Sequence, residues 1–135
     1  MMFRRATVTL LLLLMAAATA AYAQDLAKAP RISIDELKTL MVKKQVVIVD
    51  VRDPQSFAEG HIPGAVNVPF DFLPNHVDEW KKDKRLIVTY CACHEEATAA
   101  RALYDLNAFD VKNVKALRGG WNEWVQRKEK IQKPN

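Results

Sequence analysis

Val46-Val-Ile-Val-Asp-Val51 is an almost continuous run of β-branched residues. Successive strand side chains point to opposite faces, so a strand half-open to water alternates apolar and polar residues. A run that is apolar at nearly every position needs cover on both faces. That pattern predicts a central strand of a parallel sheet, with helices packed above and below it.

The surrounding chain alternates accordingly. Arg31-Ile32 is a short candidate strand, and Ser33-Ile-Asp-Glu36 is a capping box that opens a helix running to about Lys43. Asp53-Pro54 supplies a cap and a favourable first residue for a short helix ending at Gly60. A turn at His61 to Gly64 leads into a strand at Ala65 to Asn67. Phe70 to Trp80 is predicted as a helix broken at Pro74. Leu86 to Tyr90 is a strand, Ala97 to Ala108 a helix, Val111 to Leu117 a strand, and Trp121 to Lys130 an amphipathic last helix after the Gly119-Gly120 turn. Strands alternating with helices predict a parallel α/β sheet, whose site lies beyond the carboxyl ends of its strands.

The first 23 residues read differently. Arg4 and Arg5 precede an apolar run from Val8 to Ala18, and Ala21-Tyr22-Ala23 is a small-residue cleavage site before Gln24. This is the pattern of a secretory signal peptide, with an apolar run short for a membrane span. The expected organisation is a signal peptide over 1–23, a flexible lead-in over 24–30 and one domain over 31–135. Roughly 110 residues then remain, enough for one core and too few for two. The chain carries a formal charge of +4, and the removed segment holds two arginines and no acids. The remaining balance is too weakly basic, and its lysines too scattered, to indicate nucleic acid. A periplasmic or secreted location follows as an expectation, with no stable membrane insertion after cleavage.

Cys91 stands where the strand Arg85 to Tyr90 ends and a short polar loop begins. A thiol there faces the start of the next helix, whose unpaired N–H groups and positive dipole end favour a thiolate. It therefore reads as a nucleophile. The second cysteine, Cys93, lies one residue beyond the intervening Ala92. Exported proteins commonly hold structural disulfides, but a bridge between such near neighbours closes a very small ring and adds little stability. The expectation is a chemical role for the pair in redox or sulfur handling, not a structural disulfide.

Three segments together resemble the single-domain rhodaneses, a sulfurtransferase family. They are Asp50-Val-Arg-Asp-Pro-Gln-Ser-Phe-Ala-Glu-Gly-His-Ile-Pro-Gly-Ala-Val-Asn-Val-Pro69, Tyr90-Cys91 with its loop and alanine-rich helix, and Val114-Lys-Ala-Leu-Arg-Gly-Gly-Trp121. The resemblance implies a rhodanese-like parallel sheet flanked by helices on both faces, with Cys91 catalytic and Ala92, Cys93, His94, Glu95 and Glu96 forming the substrate-binding loop. It implies that loop amides form an anion nest, and that sulfane sulfur passes through a Cys91 persulfide to a thiol or other nucleophile. The partners are then a small-molecule sulfur donor and a small or protein thiol acceptor, with no cofactor and no metal.

The loop departs from the family pattern in two places. His94 stands where glycine is common, and Glu96 stands where many members close the loop with an arginine that attracts an anionic donor such as thiosulfate. Glu95 and Glu96 should raise the thiol pKa, although Glu96 also suits a helix N-terminus. Arg118 is the candidate to restore positive charge. Asp50 and Arg52 are expected to brace the site as a salt bridge, with Glu59 a second candidate partner for Arg52. Two alternatives use the same cysteines: a thiol–disulfide redox protein, and a soft-metal module with His94 as a third ligand. A phosphatase of related architecture is disfavoured, because Glu96 occupies the place of the phosphate-clamping arginine.

Overall fold

The computed structural model describes residues 25–134, together with Val8, Thr9, Leu12 and residues 14–16 of the leading segment. Most of the expected signal peptide, including its cleavage site, lies outside the described residues. Among the described residues no helix is long and apolar enough to cross a membrane.

The strands are β1 (Arg31–Ile32), β2 (Val46–Asp50), β3 (Val66–Asn67), β4 (Leu86–Tyr90) and β5 (Val114–Leu117). The helices are α1 (Ile34–Val42), α2 (Pro54–Glu59), α3 (Val77–Trp80), α4 (Ala97–Ala108) and α5 (Gly120–Gln126), with 3-10 turns over Phe70–His76 and His94–Glu96. All the strand pairings are parallel and the sheet order is β1-β5-β4-β2-β3. β4 is thus the middle strand, in register with β2 from Val46 opposite Leu86 to Asp50 opposite Tyr90.

The β-branched run of β2 is covered on both sides, as its composition requires. Val49 packs with Ile87, Leu103, Leu106 and Trp80 on the face carrying α4 and α3. Ile48 packs with Val88, Leu37, Leu117 and Trp124 on the face carrying α1 and α5. Ala99, Ala100 and Ala102 are fully buried, and their small side chains let α4 lie close to the sheet. Cys91 belongs to the α4 face.

Boundaries moved where the chain ends a helix without glycine. The last helix stops at Gln126 rather than Lys130, because Lys128 takes a left-handed conformation at φ 56°. The Lys128 amide then donates to the Val125 carbonyl and the Glu129 amide to that of Trp124, which is a Schellman closure. Asp110, at φ 67°, closes α4 in the same way. The following residues connect the helix to the sheet, so β5 starts at Val114 and not at Val111. The expected broken helix is a 3-10 turn through Pro74 followed by α3, the change falling at His76.

Candidate active site

The site is assembled where β4 ends. Tyr90 points to the α1–α5 face and is fully buried, and the next residue, Cys91, enters the opposite face with 4% of its surface exposed. Burial, with Asp50 beside it, pushes the Tyr90 phenol far above its usual range. The carbonyl of Cys91 accepts the Trp121 amide at 2.9 Å, and the Ala92 carbonyl accepts Asn122 Nδ2 at 3.1 Å, so the start of α5 holds the start of the loop. Gly120 makes this approach feasible: a Cβ there would lie 2.4 Å from the Cys91 carbonyl oxygen, and its φ is +50°.

The two cysteines are joined by a disulfide, where the expectation was a chemical role for the pair and no structural bridge. The chain bends at Ala92, and the Cα atoms of Cys91 and Cys93 lie 5.6 Å apart, inside the usual span for a bridge. The ring is still too small to contribute much stability. The bond therefore marks an oxidised state of the chemistry more than a staple.

The main-chain donor on sulfur also falls differently from expectation. The Thr98 amide, in the first turn of α4, donates to Cys93 Sγ at 3.3 Å. The helix N-terminus thus meets Cys93, while Cys91 sits deeper against the sheet. Within the loop the Glu96 amide turns back to the Cys93 carbonyl and the Ala97 amide to that of His94. Glu95 and Glu96 are both left-handed, at φ 52° and 53°. Such geometry costs non-glycine residues about 1–2 kcal/mol each, and it is held by contacts from outside the loop.

Those contacts centre on Arg31, a residue that its local sequence did not mark. Its Nε donates to Glu96 Oε2 at 2.8 Å, and its terminal nitrogens donate to the carbonyls of Leu26, Ala27, Ala29 and Glu95. The other Glu96 oxygen accepts the Gly119 amide at 2.8 Å. Glu96 occupies the N-cap position of α4 but makes no side-chain cap bond. Its charge is instead matched by Arg31, which offsets the repulsion expected of an acidic loop. Arg118 is exposed and lines a shallow groove of about 320 Å³ with Ala27, Arg31, Glu95 and Glu96. The cation that pairs with the loop is therefore Arg31, not Arg118. Residues 25–30, expected as a flexible lead-in, supply three of the Arg31 acceptors, and the Asp25 carbonyl accepts the Tyr104 hydroxyl at 2.7 Å.

Asp50 is fully buried and grips Arg52 through two oxygens, Nε at 2.9 Å and Nη2 at 2.6 Å. Arg52 Nη2 also donates to the Gly60 carbonyl at 2.8 Å, while Glu59 accepts from Gln55, so Glu59 is not the second partner. The guanidinium lies over the Trp121 ring at 4.4 Å and the Tyr90 ring at 5.6 Å. It ties the Asp50 strand end to the residue whose amide holds Cys91. His61 stacks on Phe57 with its Nδ1 2.9 Å from the Phe57 carbonyl, and pairs through its backbone with Gln132, which makes it part of a turn. His94 is exposed. Among the described residues no three His, Cys, Asp or Glu side chains converge to hold a metal ion. With both sulfurs bonded to each other, the soft-metal alternative lacks its ligand set in this form.

A wholly parallel sheet, with a cysteine at the carboxyl end of its middle strand and a loop returning to a helix start, defines an α/β domain that presents sulfur at a strand-to-helix turn. The chain belongs to the rhodanese-like domain family, which it matches over residues 33–127. It is 31% identical over 93 residues to the thiosulfate sulfurtransferase GlpE of Shewanella oneidensis, an alignment covering 69% of this chain and 89% of that protein. It is 38% identical over 78 residues to GlpE of Stutzerimonas stutzeri, covering 58% of this chain and 69% of that one. Among solved structures, a rhodanese-like domain protein from Staphylococcus aureus superposes with a TM-score of 0.65 at 27% identity, covering 78% of this chain and 99% of that one.

Proposed function

We propose that this chain is a sulfurtransferase that carries sulfane sulfur as a persulfide on Cys91 and hands it to a nucleophilic acceptor. The observation that carries the reading is the position of Cys91: the end of the middle strand, its carbonyl held by α5, its loop returning to α4. The likeness to proteins named thiosulfate sulfurtransferases supports it. In the first step the Cys91 thiolate forms a bond to the outer sulfur of the donor, and the donor's S–S bond breaks. With thiosulfate the leaving group is sulfite. In the second step a thiol or cyanide bonds to that sulfur and the Cys91 thiolate leaves. The pairing of Glu96 with Arg31 removes one objection to an anionic donor. The signal-like pattern of residues 1–23 supports export, so the working protein meets its donor outside the cytoplasm.

Turnover of the reduced protein tests the reading. Thiosulfate or a low-molecular-weight persulfide is supplied with cyanide or a dithiol as acceptor. The expected result is formation of thiocyanate or hydrosulfide well above the rate in buffer. No acceleration with any donor and acceptor pair contradicts it.

The bond between Cys91 and Cys93 favours a second reading, a thiol–disulfide redox protein. It predicts reversible oxidation of the pair without any uptake of donor sulfur.

A further inference from the structure

Resting on the sulfurtransferase reading, we infer that Cys93 is the resolving thiol of this site: it displaces hydrosulfide from the Cys91 persulfide, and a dithiol reductant then resets the pair. The loop geometry makes Cys93 the nearest acceptor to any sulfur on Cys91, since the two side chains already reach bonding contact. Cys93 is also the better prepared of the two to attack. It is partly exposed where Cys91 is buried, and its sulfur receives the Thr98 amide at the start of a twelve-residue helix. A donor N–H and the positive helix end favour negative charge on the sulfur that they face.

The steps balance. The Cys93 thiolate bonds to Cys91 Sγ, the bond from Cys91 Sγ to the outer sulfur breaks, and that sulfur leaves as hydrosulfide with the electron pair. The outer sulfur is reduced by two electrons, and the two cysteines are oxidised to the disulfide seen in this structure. A thiolate of the dithiol then attacks Cys93, the more exposed sulfur, and Cys91 departs as its thiolate. The second thiol of the reductant attacks the mixed disulfide, frees Cys93 and leaves the reductant oxidised. The product is therefore hydrosulfide, and the required partner is a dithiol, small or protein-borne. A single-cysteine loop needs no such partner to release its product onto cyanide.

The test uses the full chain, reduced, freed of reductant, and given thiosulfate or an alkyl persulfide with no added thiol. Intact mass and released sulfide are measured after an alkylating quench. Wild type is expected to lose two hydrogens, retain no extra sulfur and release stoichiometric hydrosulfide once, with further release only when a dithiol is added. Cys93→Ser and Cys93→Ala are expected to gain one sulfur atom and release no hydrosulfide. Wild type that keeps the extra sulfur beside a free thiol overturns the resolving role while leaving the sulfurtransferase reading intact. Failure of both Cys93 variants to take up sulfur from either donor overturns both.

Discussion

Cys91→Ser is expected to abolish sulfur transfer, with a fall of about a thousandfold or more in kcat/KM, because the covalent carrier is lost. A hydroxyl is protonated at neutral pH and forms no persulfide, so neither half-reaction has a substitute within the loop. Cys93 cannot take over the role without losing the resolving thiol, and it stands on the other side of the bend at Ala92. The fold should survive the change. The residue is 4% exposed and packs with Ala99 and Leu103, but serine is close in size and the small disulfide ring adds little. Steady-state turnover under dithiol, together with urea unfolding of both forms, separates the two effects. Wild-type turnover by the serine variant contradicts a covalent role for Cys91.

Asp50→Ala is expected to remove about 3–5 kcal/mol of stability, the usual cost of stripping one partner from a buried ion pair. Asp50 is fully buried, and the Arg52 side chain is only 8% exposed. Removing the carboxylate strands the guanidinium between Tyr90 and Trp121 with the Gly60 carbonyl as its remaining acceptor. Small domains carry roughly 5–15 kcal/mol in total, so the variant should be close to unfolding at ambient temperature. Asp50→Asn keeps an acceptor and should lose less. Because Trp121 holds the Cys91 carbonyl, sulfur transfer should fall in the folded fraction of both variants. A loss below about 1 kcal/mol for the alanine variant, measured by urea unfolding, contradicts this role for the pair.

The parts of the molecule that follow from local pattern were legible in the chain. The β-branched run at Val46, the capping box at Ser33 and the cap at Asp53 act over a few residues, and each element formed where they indicated. Asp50 and Arg52 lie two apart at a strand end, close enough for their pairing to be read directly. What was hidden depends on residues far apart in sequence. Arg31 reaches Glu96 across the sheet edge, a separation of 65 residues, and no local signal distinguishes it from a surface arginine. The acidic loop therefore looked more hostile to anions than it is. The left-handed turns at Lys128 and Asp110 lack the glycine that announces a helix end, so the amphipathic pattern runs on to Lys130 past the true end of the last helix. The closeness of the two cysteine Cα atoms depends on the bend at Ala92, which a spacing of one residue leaves undetermined. The Gly119-Gly120 pair did carry a signal, and its reason is the close approach of α5 to the Cys91 carbonyl.

The central claim is that position 91 carries the transferred sulfur. The most direct measurement compares Cys93→Ala and Cys91→Ala, each reduced, exposed to the same sulfur donor, quenched, digested and mapped by fragmentation mass spectrometry. Extra sulfur on Cys91 in the first variant and none in the second is the predicted result. Sulfur on Cys93 in the second variant, with Cys91 bare in the first, contradicts the assignment.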